Sequence, residues 1–382
     1  MKWEKVKLGD IATFSNGINF NKTAYAKGIK LIGVSNFGDR FYPEYSQLQE
    51  VKEDIVRPED CLQNNDIVFV RSNGNKELVG RCMLVKNPTE QVTYSGFCIR
   101  ARLNDTERYD PVYFTYYFKS KAFRRALSGT AVGANIQNLS QARLANHECS
   151  VPSIEVQHHI ADILSAYDDL IENNQKQIKL LEEAAQRLYK EWFVDLRFPG
   201  HENTKIVDGV PEGWRKTNIN EILTFHRGYD LTKNEMKAGR YPVVGSTTVI
   251  GYHNEFKIKG PGIVTGRSGS LGKYQFIWDD FWPHNTSLYI SDYKDHNIFF
   301  VYSLLQTVDF TSLNNGGAIP TLNRNVLSNI EVIEPTDESQ EMFATITEAQ
   351  YRKIRNLEKQ NDRLKTARDL LLPKLMNGEV EV

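Results

Sequence analysis

The loop from Gly266 to Tyr274, GRSGSLGKY, contains the glycines, hydroxyl groups and lysine that bind phosphate in nucleotide-binding loops. The strict pattern of such loops has four residues between its glycines and a Ser or Thr directly after the lysine. Here five residues separate Gly266 from Gly272, and Tyr274 follows Lys273, so no hydroxyl group is available for Mg²⁺. One hypothesis is therefore a nucleoside triphosphatase built on a weakened loop, and the alternative is phosphate binding of another kind.

Other loops rich in Gly, Asn and Ser also carry side chains that recognise nucleic acids. Arg pairs with guanine and Asn or Gln with adenine, whereas Ser, Thr and Lys suit phosphates. In the first half of the chain the candidate DNA-binding residues are Asn16, Arg71, Ser72, Asn73, Lys76, Arg124, Asn135 and Gln137. In the second half they are Arg227, Tyr229, Arg267, Ser268, Ser270, Lys273, His284, Asn285 and Arg324. Any one of them alone is compatible with an ordinary exposed loop position, so the prediction of double-stranded DNA as partner depends on the two matched sets.

No catalytic motif accompanies these loops. The sequence has no GxSxG, HExxH, EF-hand loop or GxGxxG after a strand, nor the aromatic tetrapeptide of amino-methyltransferases or a nuclease motif. Neighbouring carboxylates such as Asp168 and Asp169 are typical of solvated helix faces. The cysteines are scattered, which indicates reduced thiols and not a zinc site or disulfide bonds; they are Cys61, Cys82, Cys98 and Cys149. We therefore expect a binding protein without catalytic residues and without a bound metal.

Composition predicts a multidomain globular protein. A chain of 382 residues is long for one domain, and its 40% hydrophobic content suits filled cores. With no apolar run long enough to cross a bilayer and no signal peptide, we expect it in the cytoplasm. The net charge of −1 is unevenly distributed, because residues 1–150 have an excess of five basic residues and residues 151–197 an excess of four acidic ones. A basic first domain favours a nucleic-acid partner.

The chain repeats itself, and the repeats position the loops. WEKVKLGDIATFSNG near the start recurs as WRKTNINEILTFHRG from Trp214, and DIVFVRSNG at Asp66 recurs as GIVTGRSGS at Gly262. The matched pairs are Trp3/Trp214, Ile11/Ile222, Phe14/Phe225, Gly17/Gly228, Ile136/Ile319, Leu139/Leu322, Pro152/Pro335 and Gln157/Gln340. GRSGSLGKY is thus the second copy of VRSNGNKELVGR, residues 70–81, and a P-loop is not expected twice in weakened form. Two copies of one domain follow.

A helical heptad pattern follows each copy. The first seam is Ile160, Leu164, Tyr167, Ile171, Asn174, Ile178, Leu181, Ala185, Leu188 and Trp192. The second is Phe343, Thr347, Gln350, Ile354, Leu357, Asn361, Leu364, Arg368, Leu371 and Leu375. Asn174 and Asn361 either lie at a frayed, solvated edge or form a buried pair that fixes helix register. Antiparallel pairing of the two helices buries both apolar stripes, and a helix of ~39 residues spans ~58 Å, or ~17 base pairs.

These patterns predict an α+β fold: two tandem-repeat β-rich domains separated by two long helices that form an antiparallel coiled coil. The expected segments are residues 1–155 for the first repeat, 156–197 for the first helix, 198–335 for the second repeat and 336–382 for the second helix and tail. A coiled-coil scaffold whose β-rich domains bind proteins instead of DNA has the same organisation, so it stays open as an alternative.

Over nearly the whole chain the sequence resembles the specificity subunit of type I restriction–modification enzymes. The most specific matches are LYKEWFVDLRFPGHE (residues 188–202), GVPEGW (residues 209–214), the opening WEKVKLGDIATFSNG and the ending LLLPKLMNGEVEV. The second seam departs mildly from an apolar pattern at Gln350, Asn361 and Arg368.

The resemblance implies that each repeat is a target-recognition domain for one half of a split, asymmetric DNA sequence, with the coiled coil setting the gap between the halves. It implies a subunit without catalytic activity that docks two methyltransferase subunits, which methylate adenine; two restriction subunits can join the complex. It also implies that no cofactor is bound by this chain, whereas the partner subunits use S-adenosylmethionine, ATP and Mg²⁺.

Overall fold

The computed structural model describes residues 3–38, 40–128, 138–267, 272–308 and 330–382, and the chain divides into two compact units. Unit 1 comprises Met1–Asn174 with Lys359–Val382, and unit 2 comprises Gln175–Glu358. Each unit therefore contains one β-rich repeat together with part of each long helix. None of the helices in the described ranges is long and apolar enough to cross a membrane.

The strands of unit 1 are β1 (Glu4–Lys7), β2 (Ala12–Asn16), β3 (Tyr25–Ile32), β4 (Gln49–Val51), β5 (Ile67–Val70), β6 (Cys82–Leu84), β7 (Val92–Tyr94), β8 (Cys98–Leu103) and β9 (Glu148–Val151). Its helices are α1 (Leu8–Ile11), α2 (Pro111–Lys119), α3 (Lys121–Ser128) and α4 (Gln141–Ala145), and the long helix α5 (Ile154–Tyr189) begins here and continues into unit 2. Short 3₁₀ turns lie at Lys22–Ala24, Val34–Asn36, Tyr45–Gln47, Glu53–Ile55, Pro58–Asp60 and Lys76–Leu78.

The strands of unit 2 are β10 (Ile206–Val207), β11 (Val210–Pro211), β12 (Arg215–Asn218), β13 (Thr224–Arg227), β14 (Tyr241–Val244), β15 (Val249–His253), β16 (Gly262–Gly266), β17 (Tyr274–Ile277), β18 (Trp282–Pro283), β19 (Ser287–Asp292) and β20 (Glu331–Glu334). Its helices are α6 (Ile219–Ile222) and α7 (Ile298–Thr307), and α8 (Asp337–Met376) begins here and ends in unit 1. A π-helical turn at Lys190–Val194 follows α5, and a 3₁₀ turn lies at His201–Asn203.

The two repeats have the same sheet topology, which confirms the internal duplication. Each has a four-stranded antiparallel sheet, in the order β2-β8-β5-β6 in unit 1 and β13-β19-β16-β17 in unit 2. Each also has a three-stranded sheet with one antiparallel and one parallel pair, ordered β4-β3-β7 and β15-β14-β18. The pairs β1-β9 and β12-β20 complete the correspondence.

The matched glycines Gly17 and Gly228 occupy the same place in the two repeats, at the end of β2 and of β13. A Cβ atom on Gly17 would lie 2.1 Å from the carbonyl oxygen of Tyr94, and one on Gly228 would lie 2.1 Å from that of His284. Since a backbone atom cannot move aside as a flexible side chain does, only glycine fits at either position.

The matched glutamines Gln157 and Gln340 connect the start of each long helix to its repeat. Both are buried, and the side-chain Nε2 of each donates to the carbonyl of a matched proline, Pro152 at 2.9 Å and Pro335 at 3.1 Å. Three other residues of the matched pairs, Ile136, Ile319 and Leu322, lie outside the described residues.

Within unit 1 the two long helices are antiparallel, as the seam predicts. Asp168 on α5 pairs with Arg368 on α8, and further along α5 Asn174 pairs with Asn361. Residue numbers therefore increase along α5 while those of their partners on α8 decrease. Asn174 and Asn361 are only 6% and 5% exposed, and Asn174 Nδ2 donates to Asn361 Oδ1 at 2.9 Å. The interpretation of a frayed, solvated edge is therefore wrong, and the buried pair is confirmed.

Arg368 is tolerated at a seam position because its guanidinium forms an ion pair with the carboxylate of Asp168. Its guanidinium donates to Asp168, whose other carboxylate oxygen accepts from Tyr116 Oη at 2.5 Å. Tyr116 lies on α2 of the first repeat, so this network ties both long helices to that repeat. Burial and the neighbouring Asp168 raise the pKa of Tyr116, which keeps the phenol protonated as a donor.

Within unit 2 the helices pack on each other and on the second repeat. Ala185 lies in one apolar cluster with Ala344, Tyr351 and Ile354. Where α5 gives way to the π-helical turn, the buried Trp192 places its ring 5.9 Å from that of Phe343, inside the main core of the unit. Together with the repeats, this packing confirms the α+β fold with paired antiparallel helices.

Candidate DNA-recognition surface

In unit 1 the candidates gather around the turn that joins β7 to β8, residues 95–97. The turn is held by the segment that leaves β5, because the Arg71 N–H donates to Phe97 O at 2.8 Å and the Ser72 N–H does so at 3.4 Å. The Arg71 side chain reinforces this hold, with Nη1 donating to Gly96 O at 3.2 Å. Arg71 and Ser72 thus position the turn, and Arg71 keeps further N–H donors that a ligand can use.

A cleft of about 530 Å³ opens beside this turn. Ser72 and Asn73 line it from one side, and residues 18–22, 33–36 and 95–97 complete most of its wall. Among the described residues that line it, none carries a carboxylate, whereas Lys22 supplies a positive charge and Asn and Ser side chains supply hydrogen-bonding groups. This lining is suited to a polyanion with exposed acceptor groups.

The remaining candidates of the first repeat are more dispersed. Asn16 is exposed at the end of β2, and Lys76 lies in the 3₁₀ turn of the β5–β6 loop. Arg124 on α3 supports that same loop, because its Nη2 donates to Glu77 O at 2.7 Å. Asn135 and Gln137 lie outside the described residues.

In unit 2 the equivalent turn, residues 284–286 between β18 and β19, brings four candidates together. Asp230 accepts from Arg227 Nη2 at 3.2 Å and also from Asn285 Nδ2, so one carboxylate holds both candidates. His284 Nε2 lies 3.2 Å from Leu231 O, which fixes the imidazole next to the same loop. Tyr229 completes the group, since it forms a parallel β-bridge with His284.

Aromatic rings border this group. The Tyr229 and Tyr289 hydroxyls are 3.0 Å apart, and the His226 ring lies stacked 6.1 Å from that of Tyr229. Burial, followed by the hydrogen bond with Tyr229, raises the pKa of Tyr289, so the Tyr289 phenol stays protonated at physiological pH. The described surface is therefore a mixture of flat rings, amides and one guanidinium balanced by a carboxylate.

Arg267 occupies the place in unit 2 that Arg71 occupies in unit 1. It follows the buried strand β16, and its N–H donates to Thr286 O at 3.1 Å, as the Arg71 N–H does to Phe97 O. The equivalence of the two arginines is thus visible in the backbone contacts. Arg267 is exposed.

The loop that contains Lys273 joins two antiparallel strands, β16 and β17, with Thr265 opposite Tyr274. A nucleotide-binding P-loop leads from a strand into a helix whose N-terminus faces the phosphates. Because a strand follows here instead, the P-loop hypothesis is wrong. Lys273 is exposed near the tip of this hairpin, while Ser268, Ser270 and Arg324 lie outside the described residues.

Two residues hold equivalent places on the two turns: Phe97, which sequence reasoning missed, and Thr286. Both are exposed, Phe97 to 62%, and both accept the backbone hydrogen bond from the matched arginine. A search for charged and polar side chains passes over Phe97. The signal that identifies them is their common place one residue before the buried strands β8 and β19.

All four cysteines are free in the structure. Burial raises the pKa of Cys82 to about 11 and that of Cys98 to about 12, so these thiols stay protonated and poorly nucleophilic at neutral pH. Within the described residues no group of three or more His, Cys, Asp or Glu side chains is arranged to hold a metal ion.

Comparison with known proteins identifies the class. The chain matches the family described as type I restriction modification DNA specificity domain over residues 1–183 and again over residues 211–366, so it belongs to that family with two copies of the domain. The resemblance drawn from the sequence motifs is thereby confirmed.

Particular relatives match over most of the chain. The MjaIX type I restriction enzyme specificity subunit of Methanocaldococcus jannaschii is 27% identical, over 80% of this chain and 76% of its own length. The HindI specificity subunit of Haemophilus influenzae is 22% identical over 99% of both chains. The crystal structure of the type I restriction–modification system S subunit from M. genitalium has the same fold, with a TM-score of 0.60, 20% identity and coverage of 98% of this chain and 96% of that one.

Proposed function

We propose that this chain is the DNA-recognition subunit of a type I restriction–modification complex acting in the cytoplasm, and that each repeat reads one half of a bipartite, asymmetric site. The observation that carries the proposal is the pair of equivalent turns, residues 95–97 and 284–286. Each is clamped by a matched arginine, Arg71 or Arg267, but the side chains around the two turns differ. Two half-sites of different sequence can be read by two domains that have the same backbone framework but different side chains on it.

The chain contributes recognition and not catalysis in this proposal. Methylation of adenine with S-adenosylmethionine, and cleavage with ATP and Mg²⁺, belong to two methyltransferase subunits and two restriction subunits that bind to it. Support comes from the absence of a catalytic motif in the sequence and from the family match. The modest net charge of −1 fits a subunit whose partners supply part of the phosphate contact.

The long helices have the length that a spacer between half-sites needs. α5 contains 36 residues and α8 contains 40, which corresponds to ~54 and ~60 Å at ~1.5 Å per residue. Such lengths match ~16–18 base pairs of DNA at ~3.4 Å each. We infer that the paired helices set the gap between the half-sites and offer their outer faces to the methyltransferase subunits.

The proposal is tested by methylome sequencing of cells that express this chain together with its methyltransferase partner. A bipartite motif methylated only when both proteins are present is expected. Replacing residues 1–155 by the first repeat of another family member should change one half of the motif and leave the other unchanged. A swap that alters both halves, or methylation without this chain, would contradict the modular function.

The matched arginines give a finer test. If Arg71 or Arg267 contacts a guanine through two hydrogen bonds, its replacement by Ala weakens recognition by ~1–3 kcal/mol and relaxes one base position. Arg108→Ala is a suitable control. That side chain is exposed and lies away from the turn, and its Nη2 is 2.7 Å from a carboxylate oxygen of Glu4. Base preferences that stay unchanged at every position in both arginine variants would reject the base-reading role.

A further inference from the structure

Phe97 combines an exposed side chain with a fixed backbone. The residue is 62% exposed, while its carbonyl accepts from two N–H groups, that of Arg71 at 2.8 Å and that of Ser72 at 3.4 Å. Its own N–H donates to Ser95 Oγ at 3.3 Å. These bonds hold the backbone, so the ring projects from a defined place on the surface, which favours a discriminating contact.

The surroundings of the ring suit DNA. Phe97 lines the cleft of about 530 Å³, whose described lining residues include Lys22 but no carboxylate. In three asparagines on the wall, the side-chain carbonyl oxygen accepts a hydrogen bond from a backbone N–H of the same loop. Asn21 accepts from Thr23, Asn36 from Gly33 and Asn73 from Asn75. Their amide NH₂ groups are thereby oriented as donors, which complements the acceptor atoms of bases and phosphates.

Thr286 occupies the same place in the second repeat. Its carbonyl accepts from the Arg267 N–H at 3.1 Å and from Ser246 Oγ at 2.7 Å. Its Oγ1 is engaged with His284 Nδ1 at 2.9 Å, which leaves the methyl group as the unengaged part of the side chain. The aromatic ring of Phe and the methyl group of Thr share one role in the major groove, because both make apolar contact with the C5-methyl group of thymine.

We propose that Phe97 and Thr286 are specificity-determining residues, and that each contacts the C5-methyl group of a thymine in the half-site read by its own repeat. This inference rests on the proposed function and adds to it the chemical group that is read and the residue that reads it. It assigns discrimination between thymine and cytosine at one position of each half-site to the residue just before β8 or β19. Arg71 and Arg267 then act in part as positioning residues for these two side chains.

The test uses the complex of the full chain with its methyltransferase partner and a duplex that carries the methylated motif. Each thymine is replaced in turn by deoxyuridine, which removes only the C5-methyl group, and the dissociation constant is measured. For the wild type we expect about a fourfold loss at one position in each half-site, the effect of removing one buried carbon group. In Phe97→Ala the loss in the first half-site should vanish while that in the second remains, and in Thr286→Ser the reverse should hold.

Each variant should keep the loss of affinity that deoxyuridine causes in the other half-site. This retained loss shows that the variant is folded and binds the duplex in the correct register. Phe256→Ala is the matched control, because Phe256 is also an exposed phenylalanine, at 41%, but packs on Tyr241; it should keep both responses. The inference is overturned if Phe97→Ala keeps the wild-type loss at every thymine, or if no deoxyuridine in the first half-site affects the wild type. A wild-type complex that does not prefer the motif to a scrambled duplex would instead refute the proposed function.

Discussion

Replacing Asn174 by Leu should destabilise the helix pair, although Leu is the commoner residue in such a seam. The two side chains have the same number of heavy atoms and the same branching, so the substitution changes hydrogen bonding with little change of shape. In the wild type Asn174 Nδ2 donates to Asn361 Oδ1 at 2.9 Å and also lies 3.4 Å from Gln360 Oε1. Asn174→Leu removes the donor, so the side-chain carbonyl oxygen of Asn361 loses its partner. That oxygen is buried, because only 5% of Asn361 is exposed.

The structure orders the variants. An unsatisfied buried polar group costs ~1–3 kcal/mol, so Asn174→Leu should lower the free energy of unfolding by ~2 kcal/mol. Asn361→Leu should cost less, because Asn174 keeps Gln360 as a second, longer partner. The double variant removes both polar groups and should be close to wild type or more stable, as is usual when both partners are replaced by apolar groups of the same shape.

Urea denaturation followed by circular dichroism measures these differences. At an m-value of ~2 kcal/mol/M, a loss of ~2 kcal/mol lowers the midpoint by ~1 M. Asn173→Leu makes the same chemical change at the neighbouring, exposed position and should alter stability by less than ~0.5 kcal/mol. An Asn174→Leu variant as stable as wild type, or a double variant less stable than either single one, would refute the buried hydrogen bond as the source of the effect.

Three further substitutions or modifications test other parts of the structure. Trp192→Ala should cost ~3–5 kcal/mol because the ring is buried in the core of unit 2, and an unchanged melting curve would contradict that placement. Gly17→Ala should lower stability by ~1–3 kcal/mol since its Cβ meets a backbone oxygen at 2.1 Å, whereas Gly74→Ala, with nothing within 4 Å, should have a small effect on a melting curve. An alkylating reagent at pH 8 should modify the partly exposed Cys61 in the native protein and reach the buried Cys98 only after unfolding, as mass spectrometry can check. Labelling of Cys98 ahead of Cys61 would reject this burial. Burial also raises the pKa of Cys98 to about 12. The contribution of its neutral thiol to the free energy of unfolding is therefore present below its ordinary pKa and lost as the pH rises from ~9 towards 12.

Much of the fold could be predicted from the sequence, because its signals are local or repeated. The heptad spacing depends only on which residues share a helix face, and every residue of both seams is buried or half-buried. The shared order of glycines, prolines and glutamines predicts two equivalent domains without any knowledge of their topology. The polar seam residue Arg368 could not be explained in this way, because its partner Asp168 lies 200 positions away in the chain.

The candidate site could be predicted only in part. Arg227, Tyr229, His284 and Asn285 come together around one turn, although more than 50 residues separate the two pairs in the sequence. Phe97 was missed because an exposed phenylalanine cannot be distinguished in the sequence from a core residue. Its exposure depends on the clamped turn beneath it, which is formed by strands from distant parts of the repeat.

By itself, the sequence determined the duplication, the two seam helices and the family, since composition, periodicity and self-similarity can be read along the chain. Only the tertiary structure decided that GRSGSLGKY leads into a strand and is no P-loop, that Asn174 and Asn361 are partners, and that Phe97 and Thr286 hold the same place. The physical reason is that burial, hydrogen-bond partners and exposure depend on residues far apart in sequence. Those properties exist only after the strands and helices have packed.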